Sequence, residues 1–184
     1  IFHIFLFEKK MNPFTLFLVL FLFISTYQGV YSLKSLTTVP SEVPETVHKY
    51  LLANNNTFLI DVRTFSELRW VGIPLIEQED ATPSRIIHVE YLHWSQEGGL
   101  TKNPNFMDEL LKKLYDHPNF SKENSTLFTM CCCGGRSVKS ATDLINAGFK
   151  AVNTFYGFDG DYNDNHQRGL VNGWKVSNLP WKSD

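Results

Sequence analysis

The chain has 184 residues, of which 43% are hydrophobic and 20% are charged, and its formal net charge is -2. This length is sufficient for one domain with an extended hydrophobic core. The small negative charge excludes the strongly basic surface that nucleic-acid binding requires, so we expect no nucleic acid among its partners.

The first 32 residues form a segment of their own ahead of a predicted domain at residues 33–184. The stretch from Phe14 to Ile24 is rich in phenylalanine and leucine. It is shorter than the roughly 20 apolar residues of a membrane-spanning helix and is typical of the core of a signal peptide. We therefore predict a signal or anchor segment here, with untranslated upstream sequence as the alternative.

The location of the protein depends on where translation begins. Met11 is a candidate start, and Ser32 is a suitable last residue before a cleavage site. If residues 11–32 are translated, we expect export or membrane anchoring, and a membrane is a partner only in that case. The alternative is a cytoplasmic protein, which would keep cysteine thiols reduced more readily.

The first half of the domain alternates predicted helices and strands. Residues 41–53 are predicted to form an amphipathic helix with Ser41 as its N-cap, because apolar residues recur at helical spacing: Val43, Val47, Leu51 and Leu52. A short apolar strand, Phe58–Ile60, then leads to Asp61. A short helix is predicted over residues 65–70.

A polar loop over residues 78–85 precedes a second strand, Ile86–Tyr91. A turn is expected at the glycine pair 98–99, and residues 105–116 predict an amphipathic helix with an apolar face: Phe106, Leu110, Leu111 and Leu114. A further strand is predicted at Ala151–Phe155. Alternating strands and helices imply right-handed crossovers, and therefore an α/β fold with a mainly parallel sheet covered on both faces.

The domain is organised around the run from Leu127 to Ser137. Its apolar residues predict a strand that ends at Cys131, and a glycine-rich loop follows. Ser137 then opens a predicted helix, with apolar residues on one face and Gly148 at its end: Val138, Ala141, Leu144 and Ile145. Cys131 is thus expected at the carboxyl end of a strand, where open α/β sheets bind ligands.

This loop favours a reactive thiol. Gly134 and Gly135 permit positive φ angles, so that several backbone N–H groups can point inward toward one site. The positive end of the following helix and the charge of Arg136 would stabilise a thiolate or an anionic substrate. Helix starts of this kind lower cysteine pKa values to roughly 3.5–7.5. The alternative interpretation is a buried, inert cysteine cluster.

The three cysteines of the chain are consecutive, Cys131 to Cys133. Adjacent side chains do not converge easily on a tetrahedral zinc ion, and they cannot connect distant loops through disulfides. We therefore expect neither a zinc site nor a disulfide scaffold. Either Cys132 or Cys133 could resolve a modified Cys131, and Cys133 is the better candidate because directly adjacent cysteines form disulfides only with strain.

The pattern C-x-x-G-x-R-S over Cys131–Ser137 resembles the active-site loop of rhodanese-type sulfurtransferases, usually C-R-S-G-x-R-S. Four residues separate Cys131 from Arg136, whereas phosphatases with a related loop have five. This spacing argues against a phosphatase. Cys132 and Cys133 stand where the family usually has arginine and serine, a departure that removes one positive charge from the loop rim.

Two further segments carry the same resemblance. The stretch Leu59–Glu67 is similar to the family pattern L-I-D-V-R-x-x-x-E, in which the residues matching Asp61 and Arg63 mostly brace the site. The glycine- and aromatic-rich tail after Tyr156 resembles the C-terminal extension of a bacterial rhodanese subgroup, with elements G-F-x-G-D, G-W-K and L-P-W. Within this tail, His166 or Arg168 could approach the sulfur pocket, but we favour the interpretation of both as packing residues.

The resemblance implies a three-layer α/β/α fold and a sulfurtransferase that needs no cofactor. Cys131 would accept sulfane sulfur as a persulfide from a small-molecule or protein donor and pass it to a thiol or to cyanide. The loop residues that would hold the terminal sulfur through their N–H groups are Cys132, Cys133, Gly134, Gly135, Arg136 and Ser137. The alternative is a non-catalytic or redox-responsive binding module of the same fold.

Overall fold

The computed structural model describes residues 38–77 and 83–183. Within these ranges the chain forms four helices, α1 (Pro44–Ala53), α2 (Phe65–Val71), α3 (Phe106–Tyr115) and α4 (Gly135–Asn146). The strands of the same ranges are β1 (Ser41–Glu42), β2 (Thr57–Asp61), β3 (Ile73–Pro74), β4 (Ile86–His88), β5 (Leu92–Trp94), β6 (Leu100–Lys102), β7 (Thr126–Met130), β8 (Lys150–Thr154) and β9 (Trp181–Lys182). The predicted signal or anchor segment and most of the predicted loop 78–85 lie outside the described residues, so both stay predictions.

No helix in these two ranges combines the length and apolar character needed to cross a bilayer.

The central sheet has five parallel strands in the order β1-β8-β7-β2-β4. The two strands predicted to carry functional residues, β2 and β7, are neighbours, and Asp61 lies opposite Met130 in their register. Because parallel strands end at one edge of the sheet, Asp61 and Cys131 both lie at that edge.

Alternation along the central strands places a hydrophobic cluster on each face of the sheet. Phe58 and Ile60 of β2 pack with helices α3 and α4, whereas Leu59 packs on the other face with helix α1. The helices contribute fully buried leucines to these clusters: Leu51, Leu110, Leu114 and Leu144. The predicted α/β/α fold with a mainly parallel sheet is confirmed.

The prediction of Ser41 as a helix N-cap is wrong. Ser41 and Glu42 form strand β1, which pairs with Asn153 and Thr154 of β8. Helix α1 begins only at Pro44, a residue that suits the first turn because its missing N–H is not needed there. Two of the apolar residues assigned to the buried face are consequently exposed: Val43 and Leu52.

Two small antiparallel pairs were not predicted. Strands β5 and β6 form a hairpin whose turn contains the glycine pair 98–99, and both glycines have positive φ angles as expected of a turn. Strand β9 pairs with β3 and returns the tail to the main body of the fold. The predicted strand Ile86–Tyr91 is shorter in the structure and ends at His88.

Candidate active site

Cys131 follows strand β7 directly and precedes the start of helix α4. Gly134 adopts φ 97°, which lets the chain turn from the strand into the helix. The Gly134 N–H donates to the Cys131 sulfur at 3.1 Å, and the Ser137 hydroxyl lies 3.4 Å from the same atom. The thiol therefore lies at the positive end of a 12-residue helix, against a backbone N–H donor.

The helix begins two residues earlier than its predicted start at Ser137, with Gly135 as its first residue. Ser137 is fully buried inside the first turn. Its hydroxyl lies 3.0 Å from the Gly134 carbonyl oxygen as well as near the sulfur, and the Thr129 hydroxyl donates to its carbonyl oxygen at 2.9 Å. These bonds hold the turn of the loop on the end of the sheet.

The pKa values of the three cysteine thiols are shifted in different directions. Hydrogen bonds from the Cys132 and Cys133 thiols lower the pKa of Cys131, Ser137 adds to this effect, and burial opposes it. The same bonds to Cys131, together with burial, raise the pKa of Cys132 and of Cys133. Of the three thiols, Cys131 is the one whose surroundings favour the thiolate form.

Arg136 is bound to helix α2. Its Nη1 and Nη2 donate to the two carboxylate oxygens of Glu67 at 2.7 and 2.5 Å. Burial opposes ionisation of Glu67, but the bonds from Arg136 and the Thr64 backbone outweigh burial and lower the pKa of Glu67. Thr64 and Glu67 also form the capping box of α2. The charge of Arg136 is thus neutralised, and the loop is held in place by a bidentate pair.

Asp61 and Arg63 form a second pair, which is buried beneath the site. The Arg63 Nη2 lies 2.7 Å from the Asp61 Oδ2, and the exposed fractions of the two side chains are 0% and 1%. Arg63 also donates to the Gly72 carbonyl oxygen at 2.9 Å, and its guanidinium lies 4.0 Å from the centre of the Phe158 ring. The pair connects the end of β2 with Phe158 of the tail.

The tail forms one wall of the loop. The Phe158 N–H donates to the Cys131 carbonyl oxygen at 2.8 Å, and the N–H groups of Asp159 and Gly160 donate to the Cys132 carbonyl oxygen at 2.9 and 3.0 Å. These bonds occupy the carbonyl oxygens of Cys131 and Cys132 and hold the tail against the loop.

Gly157 allows this close approach. It adopts φ 61°, and a Cβ atom at this position would lie only 2.8 Å from the Cys132 carbonyl carbon. Only glycine combines this backbone conformation with this clearance.

The two polar residues singled out in the tail have different surroundings. His166 is exposed, and its ring lies beside Tyr162 with ring centres 5.9 Å apart. Arg168 is half-buried, stacks on the Tyr162 ring at 3.7 Å and donates to the Gly160 carbonyl oxygen. Both residues thus contact other residues of the tail, and their interpretation as packing residues stays a prediction.

Glu67 is the site residue that the sequence analysis did not select. The signal was available, because Glu67 ends the L-I-D-V-R-x-x-x-E pattern, but nothing local indicates that it pairs with Arg136, 69 residues further along the chain. Beside this pair lies a pocket of about 380 Å³ with exposed aromatic walls, Trp70 and Trp94.

No established family model matches the chain. An uncharacterised protein of Rickettsia prowazekii, RP600, is 32% identical over 136 residues, which cover 73% of this chain and 90% of that protein. Thiosulfate sulfurtransferase 16 of Arabidopsis thaliana, a chloroplast protein, is 33% identical over 120 residues, covering 65% of this chain and 83% of the relative.

Two solved structures of other proteins have a fold similar to that of this chain. The Mycobacterium tuberculosis protein Rv0390 superimposes with a TM-score of 0.62 at 28% identity, covering 79% of this chain and 98% of its own. The polysulfide-sulfur transferase of Wolinella succinogenes superimposes with a TM-score of 0.50 at 17% identity, covering 79% of this chain and 80% of its own. At that identity the second likeness concerns the fold alone.

Proposed function

The chain belongs to the rhodanese-like family of sulfurtransferases, and from this premise we propose that it carries sulfane sulfur as a persulfide on Cys131. The observation that carries the proposal is the position of the Cys131 sulfur, 3.1 Å from the Gly134 N–H at the start of helix α4. A thiolate and a terminal persulfide sulfur both gain from backbone donors and a helix N-terminus.

In the first half-reaction the Cys131 thiolate attacks the sulfane sulfur of a donor. A bond forms between Cys131 and that sulfur, the bond from the sulfur to the rest of the donor breaks, and the electron pair leaves with the donor group. With thiosulfate the leaving group is sulfite. The N–H groups between Cys132 and Ser137 stabilise the terminal sulfur that becomes anionic.

In the second half-reaction an acceptor attacks the terminal sulfur. Cyanide becomes thiocyanate, or a thiolate becomes a persulfide, and the electron pair of the broken S–S bond returns to Cys131 as thiolate. Two sequential covalent steps on one nucleophile predict ping-pong kinetics. No net oxidant or reductant is consumed.

A non-catalytic or redox-responsive module is the second candidate. The observation that favours it is the burial of Cys131, whose side chain is fully buried among loop and core atoms. A sulfur donor would then need the tail or the loop to move before it could react. The alternative is tested by the same measurement as the main proposal.

The test is intact mass spectrometry of the full 184-residue chain after incubation with thiosulfate and, separately, with a thiol persulfide. We expect a gain of one sulfur, about 32 Da, that peptide mapping assigns to Cys131 and that cyanide removes. No gain from either donor, with the protein folded by circular dichroism, would contradict sulfur transfer and favour the binding module.

The close approach of Gly157 to the backbone of the active-site loop leads to a further prediction. The Gly157→Ala variant should load sulfur from its donor about a hundredfold more slowly, because the added methyl group displaces the backbone of Cys131 and Cys132 and misplaces the nucleophile. Single-turnover loading followed by mass spectrometry measures this rate.

Gly98→Ala is the matched control for that variant. Gly98 also has a positive φ, 87°, but a Cβ atom there would have no neighbour within 4 Å. The Gly98→Ala variant should have a similar backbone strain, about 1 kcal/mol, without slower sulfur loading. Equal loading rates for Gly157→Ala and the wild type would show that the tail does not position the nucleophile.

A further inference from the structure

Cys132 and Cys133 are the loop residues that stand where the family usually has arginine and serine. The structure places their sulfur atoms 3.5 Å apart. Both side chains are half-buried, whereas the side chain of Cys131 is fully buried. Two neighbouring thiols that solvent can reach form a pair that a small oxidant can convert to a disulfide.

The Cys131 sulfur has a different set of contacts. It accepts a hydrogen bond from the Gly134 N–H at 3.1 Å and lies 3.4 Å from the Ser137 hydroxyl, at the start of helix α4. These donors and the positive end of the helix stabilise a thiolate. A disulfide at Cys131 would lose that stabilisation, because a disulfide sulfur has no charge.

Exchange among three sulfurs has a preferred end point for this reason. In thiol–disulfide exchange the thiol with the lowest pKa is the best leaving group. Hydrogen bonds lower the pKa of Cys131, whereas burial and bonding to Cys131 raise the pKa values of Cys132 and Cys133. The electron pair released in such an exchange therefore goes to Cys131, and the S–S bond stays between the other two.

We propose that Cys132 and Cys133 form a reversible disulfide under oxidation by small peroxides, and that this disulfide leaves Cys131 as a free thiol. Its structural basis is the 3.5 Å separation of the two sulfurs and the separate donors of Cys131. The pairing does not depend on sulfur transfer. Its use, which is to keep the nucleophile from irreversible oxidation, rests on the proposed function.

The reaction consumes one hydrogen peroxide for each pair of thiols. One thiolate attacks a peroxide oxygen, the O–O bond breaks, hydroxide leaves, and the sulfur becomes a sulfenic acid. A second thiol attacks this sulfur, the S–S bond forms, and the oxygen leaves as water. If Cys131 reacts first, the remaining thiol attacks the resulting disulfide, so that the S–S bond moves to Cys132 and Cys133 and the electron pair returns to Cys131.

Strain makes this disulfide easy to reduce. The two sulfurs must close from 3.5 Å to about 2.05 Å, and directly adjacent cysteines reach that distance only with a distorted backbone. The Cys132 carbonyl oxygen is meanwhile held by the N–H groups of Asp159 and Gly160 at 2.9 and 3.0 Å. Strained disulfides have high reduction potentials and are the labile ones, so cellular thiols would restore the pair.

The first test uses the Cys131→Ser variant of the full chain, which keeps only two cysteines. After treatment with hydrogen peroxide we expect a monomer that has lost two hydrogens and regains both thiols in dithiothreitol. The matched control is Cys131→Ser/Cys133→Ser, which keeps one thiol and should gain oxygen, in steps of about 16 Da. If Cys131→Ser also gains only oxygen, or forms only disulfides between chains, the pairing is overturned.

In the wild-type chain, the thiol that stays free identifies the disulfide. After peroxide treatment the protein is labelled with N-ethylmaleimide in mildly acidic denaturant, where thiol–disulfide exchange is slow. We expect one label per chain, and fragment ions that separate Cys131 from Cys132 should assign it to Cys131. A label on Cys132 or Cys133 would place Cys131 in the disulfide and overturn the proposal.

Sulfur loading after peroxide treatment and reduction tests the use of the pair. The wild type should recover within about twofold of its untreated loading, whereas Cys132→Ser and Cys133→Ser should lose at least about tenfold relative to their own untreated samples, because Cys131 then oxidises beyond the reach of thiols. Equal recovery in all three would overturn protection of the nucleophile. A wild type that loads from no donor would overturn the proposed function and this use, while the result with Cys131→Ser decides the pairing separately.

Discussion

Replacing Cys131 by serine is expected to abolish sulfur loading, with a fall of at least about a thousandfold in rate. A serine hydroxyl at this position is accommodated sterically, but it does not ionise at neutral pH and cannot form a persulfide. The 3.1 Å contact with the Gly134 N–H would then hold a neutral oxygen. Intact mass after incubation with a donor measures the effect directly.

Cys132→Ser and Cys133→Ser are the matched controls. Hydrogen bonding to Cys131 and burial raise the pKa of each of these thiols, which makes both weaker candidates for the nucleophile. A serine hydroxyl also donates a hydrogen bond, so each variant should retain loading within about tenfold of the wild type. Sulfur gained by Cys131→Ser, mapped to Cys132 or Cys133, would show that the nucleophile is misassigned.

Asp61→Asn is expected to cause the largest loss of stability, about 3–5 kcal/mol in the free energy of unfolding. The substitution keeps the shape of the side chain but leaves the guanidinium of Arg63 charged and fully buried. Arg63 would keep its bond to the Gly72 carbonyl oxygen and its contact with Phe158, neither of which neutralises the charge. Urea unfolding at equilibrium measures the change.

The exposed pair between Lys102 and Asp143 provides the comparison. Its atoms are 2.8 Å apart, but the exposed fractions of the two side chains are 58% and 30%. Lys102→Met should therefore cost less than about 1 kcal/mol, because water screens such pairs. If Asp61→Asn costs no more than Lys102→Met, the buried pair does not stabilise the fold as argued here.

Much of the fold could be predicted because its signals are local. The apolar run Phe58–Ile60 and the helical spacing of residues 105–116 reflect burial along one element, and both elements are present close to their predicted bounds. The prediction of Ser41 as a helix N-cap was wrong because the residue that Ser41 pairs with is distant in the sequence. Ser41 pairs with Asn153, 112 residues further along the chain, as part of strand β1, and therefore does not cap the helix.

The candidate site also has a part that local sequence predicts and a part that depends on distant contacts. Cys131, the glycines and Ser137 are contiguous, so their strand–loop–helix arrangement could be predicted from the sequence. Glu67 pairs with Arg136 across 69 residues, and no local pattern specifies that contact. The tail was identifiable by its motifs, but its hydrogen bonds to the loop carbonyls depend on the path of the chain between Tyr156 and Gly160.

The return of the tail to strand β3 has a consequence for biosynthesis. Strand β7 and the nucleophile leave the ribosome well before Trp181, which packs on Gly72 and pairs with Pro74. Translation proceeds at roughly 5–20 residues per second, so the nascent chain exposes three thiols for seconds before the tail can cover them. The loop therefore gains its contacts with the tail only after the tail has been synthesised, and a stalled chain would present uncovered cysteines to the cell.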